Sequence, residues 1–593
     1  MNKNDIKNIY KDRIETYRQE TTGLKKIAFV MSILKFMIIF AVIFFLFRKE
    51  LSLPLLGGFL LVFVFLSIIH EKNVNKQKWQ KLLCKINENE IQYLNNKFPS
   101  TDNGSYFFDE EHRYAEDMDI FSERGLFHYL NRAKTMPGKS LLAEWLKEHS
   151  DVGEIKRRQG AVRELSRKMD FRQTIQAFSM DIDDTSKNVK AIYNLFKEPF
   201  FILRKKFFII YFHLFPLLTL AAIVSIFFNV PWGIALSFVL VQILVNHFTG
   251  EQVARIYQYT TDNCKILKAY TNIIREIENQ SFESEELSFL HGELSGKEQP
   301  ASKYINRLSN LSAMFELRLN SLFYFIFNNT LSWDFHCIYR IEKLINSVRS
   351  DIHKWLNAAG KVEALCSFAN LYFNHPSWTM PGFSEKEFKL EALSLGHPLI
   401  PECERVSNDI KFERDGRVLI VTGPNMAGKS TFLRTLGVNL ALTFAGAPVC
   451  AKHFVISPVK LYSSMKLSDS LDKKLSLFYT ELQHLKKILD GIIRGEPVFF
   501  IIDEMLKGTN TKDRQQGAIA LIKQLIRYDA HGIIATHDLE LANIEKEYPI
   551  HIINCHFDGF VEGDKLLFDY KLRRGVCRSF NALTLMRKIG IQL

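Results

Sequence analysis

"GPNMAGKST", residues Gly423–Thr431, decides the reading of this 593-residue chain. It follows the apolar run "RVLIVT" (417–422) and precedes "FLRTLGVNLALTFAG" (432–446), so it lies between a buried strand and a helix. The stretch matches G-x-x-x-x-G-K-[ST] at Gly423, Gly428, Lys429 and Ser430. In a loop of this kind small residues let backbone N–H groups approach phosphates at a helix N-terminus. Lys429 neutralises phosphate charge, Ser430 ligates Mg²⁺, and Pro424, Asn425, Met426, Ala427 and Thr431 complete the cradle. The ligands this predicts are ATP and Mg²⁺.

Two later stretches supply the rest of a phosphoryl-transfer site. "PVFFIIDEMLKGTNTKDR" (497–514) begins as a short apolar run ending in an acid, the pattern of a buried parallel strand that delivers Asp503 to the metal. Glu504, beside it, is placed to orient and deprotonate an attacking water. "HGIIATHDLELA" (531–542) puts His537 at the end of a third strand, where a γ-phosphate-sensing group would sit. Lys429, Glu504 and His537 are the catalytic candidates, and Ser430 and Asp503 the metal ligands.

The composition points elsewhere. The chain is 47% hydrophobic, carries 49 Phe and has a net charge of +12, which suits an anionic lipid surface or a phosphate backbone. Four apolar runs, 27–47, 51–69, 207–228 and 232–248, each cover roughly the 30 Å hydrocarbon thickness and pair as two hairpins. Hairpins return the polar parts to one face, and the basic flanks "LKK" (24–26), "KNVNKQKWQK" (72–81) and "RKK" (204–206) assign that face to the cytoplasm. The expected location is the plasma or inner membrane. Lys35 and His213 within the spans read as snorkelling or packing residues. The eight cysteines show no C-x-x-C pair and no His cluster at metal spacing, so no zinc is expected.

"TGPNMAGKST", "DEMLKGTNTKDR" and "ATHDLELA" together resemble the MutS mismatch-recognition ATPases, a branch of the ABC-type fold. "GLFHYLNRAKTMPGKSLLAEWLKEHSDVGEIKRRQGAVREL" (125–165) resembles the start of that family's helical core, with Leu126, Leu130, Leu141, Leu142, Trp145 and Leu146 facing inward. "AAGKVEALCSFANLYFNHPSW" (358–378) resembles its end. The resemblance implies a dimer in which "DSLDKKLSLFYTEL" (469–482) crosses to the partner's nucleotide. Ser476 would touch the γ-phosphate in trans while Phe478 and Glu481 brace the loop; Lys474 stands where the family has glycine. It further implies base-side contacts from Asn408, Arg405 and Tyr570, and association with DNA. Nothing before residue 100 looks like the family's mismatch-reading domain.

The expected fold is therefore an α/β P-loop ATPase domain of the ABC/MutS type preceded by an α-helical lever and core domain, with four transmembrane helices in two hairpins. The divisions are a cytoplasmic arm (1–26), a first hairpin (27–69), a linker helix (70–110), a first segment of the helical core (111–206), a second hairpin (207–248), a second segment of core and lever (249–380) and the ATPase domain (381–593). The function this implies is a membrane-anchored homodimeric ATPase coupling nucleotide state to DNA through lever helices. The alternative is an ABC-type transport or membrane signalling ATPase that does not bind DNA; the missing L-S-G-G-Q loop and the scarcity of polar residues in the spans weigh against transport.

Overall fold

A computed structural model of the protein describes residues 2–50, 52–100, 102–180, 196, 206–296, 298–385, 388–412, 417–424, 426–465, 477–562 and 565–577. The polar N-terminal arm and the first apolar run form one helix, α1 (Lys3–Phe47), opened by an Asn2 cap whose side chain accepts from the backbone of Asn4 and Asp5. The second run continues likewise into polar sequence as α2 (Leu53–Leu94). The expected linker helix thus ends at Leu94, and a 3-10 turn at Ser105–Phe107 lies in the turn-rich chain that follows.

The helical core comprises α3 (Met136–Lys147), α4 (Val152–Arg167), α5 (Met169–Met180), α8 (Glu285–Ser295), α9 (Ala301–Glu316), α10 (Trp333–Val348) and α11 (Ile352–Asn374). Side-chain oxygens of Thr135 and Asp151 cap α3 and α4. Of the residues expected to face inward, Leu126, Leu130, Leu142, Trp145 and Leu146 are buried and Leu141 is partly so. Helices α3 and α11 cross closely at Gly138 and Gly360; a Cβ on Gly360 would stand 2.7 Å from the Gly138 nitrogen. Between α5 and α8 come α6 (Lys206–Ser225) and α7 (Trp232–Glu278), the latter an unbroken helix of 47 residues that carries the fourth apolar run straight into the core. Four helical segments, Lys3–Phe47, Leu53–Leu94, Phe207–Phe228 and Trp232–Gln258, are long and apolar enough to cross a membrane.

Among the described residues the C-terminal region holds ten strands: β1 (Gly382–Phe383), β2 (Leu390–Leu395), β3 (Asn408–Phe412), β4 (Val418–Thr422), β5 (His453–Ile456), β6 (Lys460–Ser464), β7 (Val498–Asp503), β8 (His531–Ala535), β9 (Ile552–Glu562) and β10 (Lys565–Arg574). A six-stranded sheet has the order β10-β9-β4-β8-β7-β6, parallel except for β10, and a four-stranded sheet the order β1-β5-β2-β3. Every residue of β4 and all but the last of β7 are buried, as expected of strands covered on both faces. Helix α12 (Lys429–Ala445) follows β4 and is buried along most of its length. Polar contacts join the core to this region: Arg158 donates to the Ala445 carbonyl (3.1 Å), and Ser463 Oγ to Asp117 (2.6 Å). Glycine at 437 lets Met118 approach; a Cβ there would sit 2.1 Å from its sulfur.

Candidate nucleotide site

Strands β4, β7 and β8 run parallel, with Val421 and Asp503 both in register with Ala535, so the chain leaves all three along one edge. That edge is where an open α/β sheet binds ligands. The loop after β4 needs glycine twice. Gly423 has φ 146° and a Cβ there would meet the Phe557 carbonyl oxygen at 2.7 Å; Gly428, capping α12, has φ 99° and a Cβ would stand 3.0 Å from the Tyr570 ring. Lys429 begins the helix and is buried. Its Nζ donates to the carbonyls of Gly423 (2.9 Å) and Pro424 (3.1 Å) and lies 3.3 Å from His537 Nε2. Burial holds its pKa below the usual lysine value, while Glu504 and Asp503 pull it upward.

Glu504 follows β7 with φ 57°, a left-handed conformation that costs a non-glycine residue about 1–2 kcal/mol. Its N–H bonds to the Ala535 carbonyl (2.9 Å), which ties this turn to β8. Its carboxylate lies 2.6 Å from His537 Nε2 and 3.4 Å from Lys507 Nζ. The His537 hydrogen bond is the main reason its pKa falls to about 2, against the opposing effect of burial. His537 thus contacts both Lys429 and Glu504, although 108 residues separate it from Lys429. Ser430, in the first turn of α12, and Asp503, at the end of β7, offer hydroxyl and carboxylate oxygens, the hard donors that Mg²⁺ accepts.

A cleft of about 410 Å³ opens here, lined by Met426, Gly428, Lys429, Ser430, Thr431 and Glu504 on the phosphate side and by His397, Ile400, Val406, Asn408, Phe557 and Tyr570 opposite. Asn408 fixes that far wall: its amide donates to the Tyr570 carbonyl (3.0 Å) and its oxygen accepts from Leu572 N–H (2.9 Å), across a bulge in β10 where Tyr570 has φ 55°. Arg405 does not reach the cleft. Its guanidinium bonds to the Ile400 carbonyl (2.9 and 3.1 Å) and to Cys450 Sγ (2.9 Å) and lies over Trp378, so the side chain is committed to the joint with the helical core.

The sequence alone did not point to His397, Ile400 and Val406; the signal available was "GHPLIP" (396–401), just upstream of Asn408. Burial brings the His397 pKa down to about 4 and so keeps its ring neutral. Helix α13 (Leu477–Ile493) braces the turn after Glu504: Glu481 accepts from the N–H groups of Leu506 and Lys507 (the latter 3.0 Å), and a Cβ on Gly508 would meet Phe478 at 2.6 Å. Asn425, Lys474 and Ser476 lie outside the described residues.

Comparison with known proteins matches residues 111–369 to MutS domain III and residues 419–591 to MutS domain V, an ABC-type ATPase-like domain. The chain is 28% identical over 263 residues to the DNA mismatch repair protein MutS of Persephonella marina, covering 44% of this chain and 30% of that protein. It is 32% identical over 222 residues to the protein of that name from Thermotoga neapolitana (37% and 27%) and 31% over 219 residues to that of Thermotoga petrophila (36% and 27%). It therefore spans less than a third of the length of these relatives. With its helical core and its nucleotide region matched in the same order, the chain belongs to the MutS family.

Proposed function

We propose that this protein is a membrane-moored MutS-like ATPase that binds and hydrolyses ATP with Mg²⁺ as a homodimer and passes its nucleotide state to DNA through its long helices. The observation that carries the ATPase reading is the convergence of Lys429, Glu504 and His537, from three strand ends, at one edge of the sheet. The phosphates are received by the N–H groups at the start of α12, and Lys429 exchanges the carbonyls of Gly423 and Pro424 for phosphate oxygens. Ser430 and Asp503 would hold Mg²⁺, which supplies neutralising charge when bound.

Glu504, next to Asp503 and held by His537, is placed to orient and deprotonate the attacking water. His537 holds that carboxylate while lying beside Lys429, which supports a role in sensing the γ-phosphate. Asn408 and Tyr570 form the base side of the cleft. Ser476 is assigned to the partner's γ-phosphate by resemblance. The membrane reading is supported by the four apolar helices, and the DNA reading by the relatives' repair function and the net charge of +12.

Glu504→Gln tests the catalytic assignment: turnover should fall about 100-fold or more while ATP remains bound and the dimer accumulates. Unchanged turnover would remove Glu504 from the mechanism. ATPase rates with branched, mismatched and plain duplex DNA at one fixed salt concentration test the coupling, and rates indifferent to all three would favour a transport or signalling ATPase.

A further inference from the structure

The two apolar hairpins do not account for all the exposed apolar surface. Between α9 and α10 the chain runs from Leu317 to Ser332 as a 3-10 turn (Leu317–Leu319), a helical turn, a π-helical stretch (Tyr324–Asn328) and a final turn. No Asp, Glu, Lys or Arg occurs from Leu319 to Trp333. Leu322 is 76% exposed and Phe325 65%, with Leu319 and Ile326 exposed beside them. Such a cluster does not belong in water.

The segment also has a defined place against the second hairpin. Asn246 of α7 donates to the Asn328 carbonyl (3.2 Å) and to the Asn329 side chain (2.9 Å), and Gln242 donates to the Thr330 carbonyl (3.3 Å) and to Thr219 Oγ1 on α6 (3.1 Å). Thr219 lies twelve residues after Phe207, and Gln242 and Asn246 lie six and two residues before Phe248, so at 1.5 Å per residue the contacts stand about 3–18 Å from the hairpin's cytoplasmic ends. The apolar stretch is too short to cross a bilayer. It turns back at Ser332, whose φ is 50°, and its two ends are held together by Arg318 and Asp334 (3.4 Å).

We propose that Leu317–Ser332 is a re-entrant segment that dips into the cytosol-facing leaflet beside the second hairpin, with lipid acyl chains covering Leu322, Phe325 and Ile326. The inference rests on the membrane reading of the hairpins. Irregular backbone survives at membrane depth only where protein groups satisfy it, and the amides of Gln242 and Asn246 do this for the carbonyls of Asn328 and Thr330. Lipid, rather than a second copy, is the occupant argued for because α7, to which the segment is bonded, itself exposes apolar Val241, Leu244 and Phe248.

The test is photocrosslinking of the full chain in native membranes, with p-benzoylphenylalanine replacing Phe325, or Leu322 in a second variant. Phe36 of the first hairpin and Phe289 of α8, both exposed, serve as controls. Intact-mass analysis should find phospholipid adducts at 325, 322 and 36 and none at 289. Adducts at 36 but not at 325 or 322, or crosslinks from those two positions to a second copy or another protein, would overturn the re-entrant segment and leave the membrane reading standing. No lipid adduct at position 36 would sink the membrane reading and this proposal with it.

Discussion

The two apolar hairpins differ in what they hold on to. In the first, none of the most apolar stretch of either helix is buried, whereas in the second 28% and 17% of the corresponding stretches are. Among the described residues, the first is fixed at its polar base. Glu90 of α2, which is 2% exposed, receives bonds from Arg132 (2.6 and 3.2 Å) and from Asn374 (2.8 Å), and Asn374 in turn accepts from Tyr10 of α1 (2.8 Å). The second is fixed within its apolar length, through Thr219, Gln242 and Asn246. Their reach differs too. The base of the first touches the loop that walls the nucleotide cleft, with Asn96 donating to the Leu399 carbonyl (3.2 Å) and Lys3 lying 4.0 Å from Glu402. The second meets the core elsewhere, through α7 and through α6, whose Phe208 and Phe212 pack against Phe335 and Tyr339 of α10. A hairpin pinned by buried charge at its base stands as an anchor; one pinned by amides in its middle stands as a strut.

The largest effect expected on this contrast comes from Arg132→Met. It leaves the Glu90 carboxylate buried without its cation, at a cost of about 3–5 kcal/mol. The denaturation midpoint in detergent should fall steeply, and Glu90→Leu added to the same chain should recover much of the loss. A single variant with an unchanged midpoint would mean that the first hairpin is not held by this pair.

Acid should act on the same joint. Tyr129 Oη lies 2.8 Å from His375 Nε2, and His375 stacks on Trp378. Burial drives the His375 pKa down to about 3. A folded pKa below the unfolded value of about 6.5 means that the unfolded chain binds the proton more readily, so stability is complete above that value and is lost as pH falls toward 3. His375→Gln should flatten the decline in melting temperature between pH 7 and 5. An unaltered decline would assign it to other buried histidines such as His149.

How much of this was legible depended on whether a residue's task is local. The loop at Gly423–Thr431 and the acid ending β7 could be read because strand burial, glycine conformation and phosphate chemistry are all written within a few residues. The continuity of α1 and α2 was not legible as structure, since the change from "LKK" to apolar sequence is a change of composition and not a helix end. Arg405 was misplaced because its neighbourhood in sequence points to the cleft while its partners, Cys450 and Trp378, come from other segments. The stretch 317–332 was illegible because it is shorter than a span and broken by Asn328 and Asn329, whose role appears only once Asn246 is beside them.

A smaller effect follows at the first hairpin from Tyr10→Phe, which removes one buried hydrogen bond and should cost about 1 kcal/mol, read as a modest fall in the same midpoint. The smallest belongs to the second. Gln242→Leu deletes its bonds to Thr219 and the Thr330 carbonyl, but hydrogen bonds between helices in apolar surroundings average only about 0.6 kcal/mol. Global stability should therefore scarcely move. The local consequence is larger: the Thr330 carbonyl loses the donor that ties it to α7, so protease access at the ends of the 317–332 segment should rise in membranes while the melting midpoint holds. A loss of several kcal/mol instead would make the amides a structural core of the second hairpin, and the contrast between anchor and strut would fail.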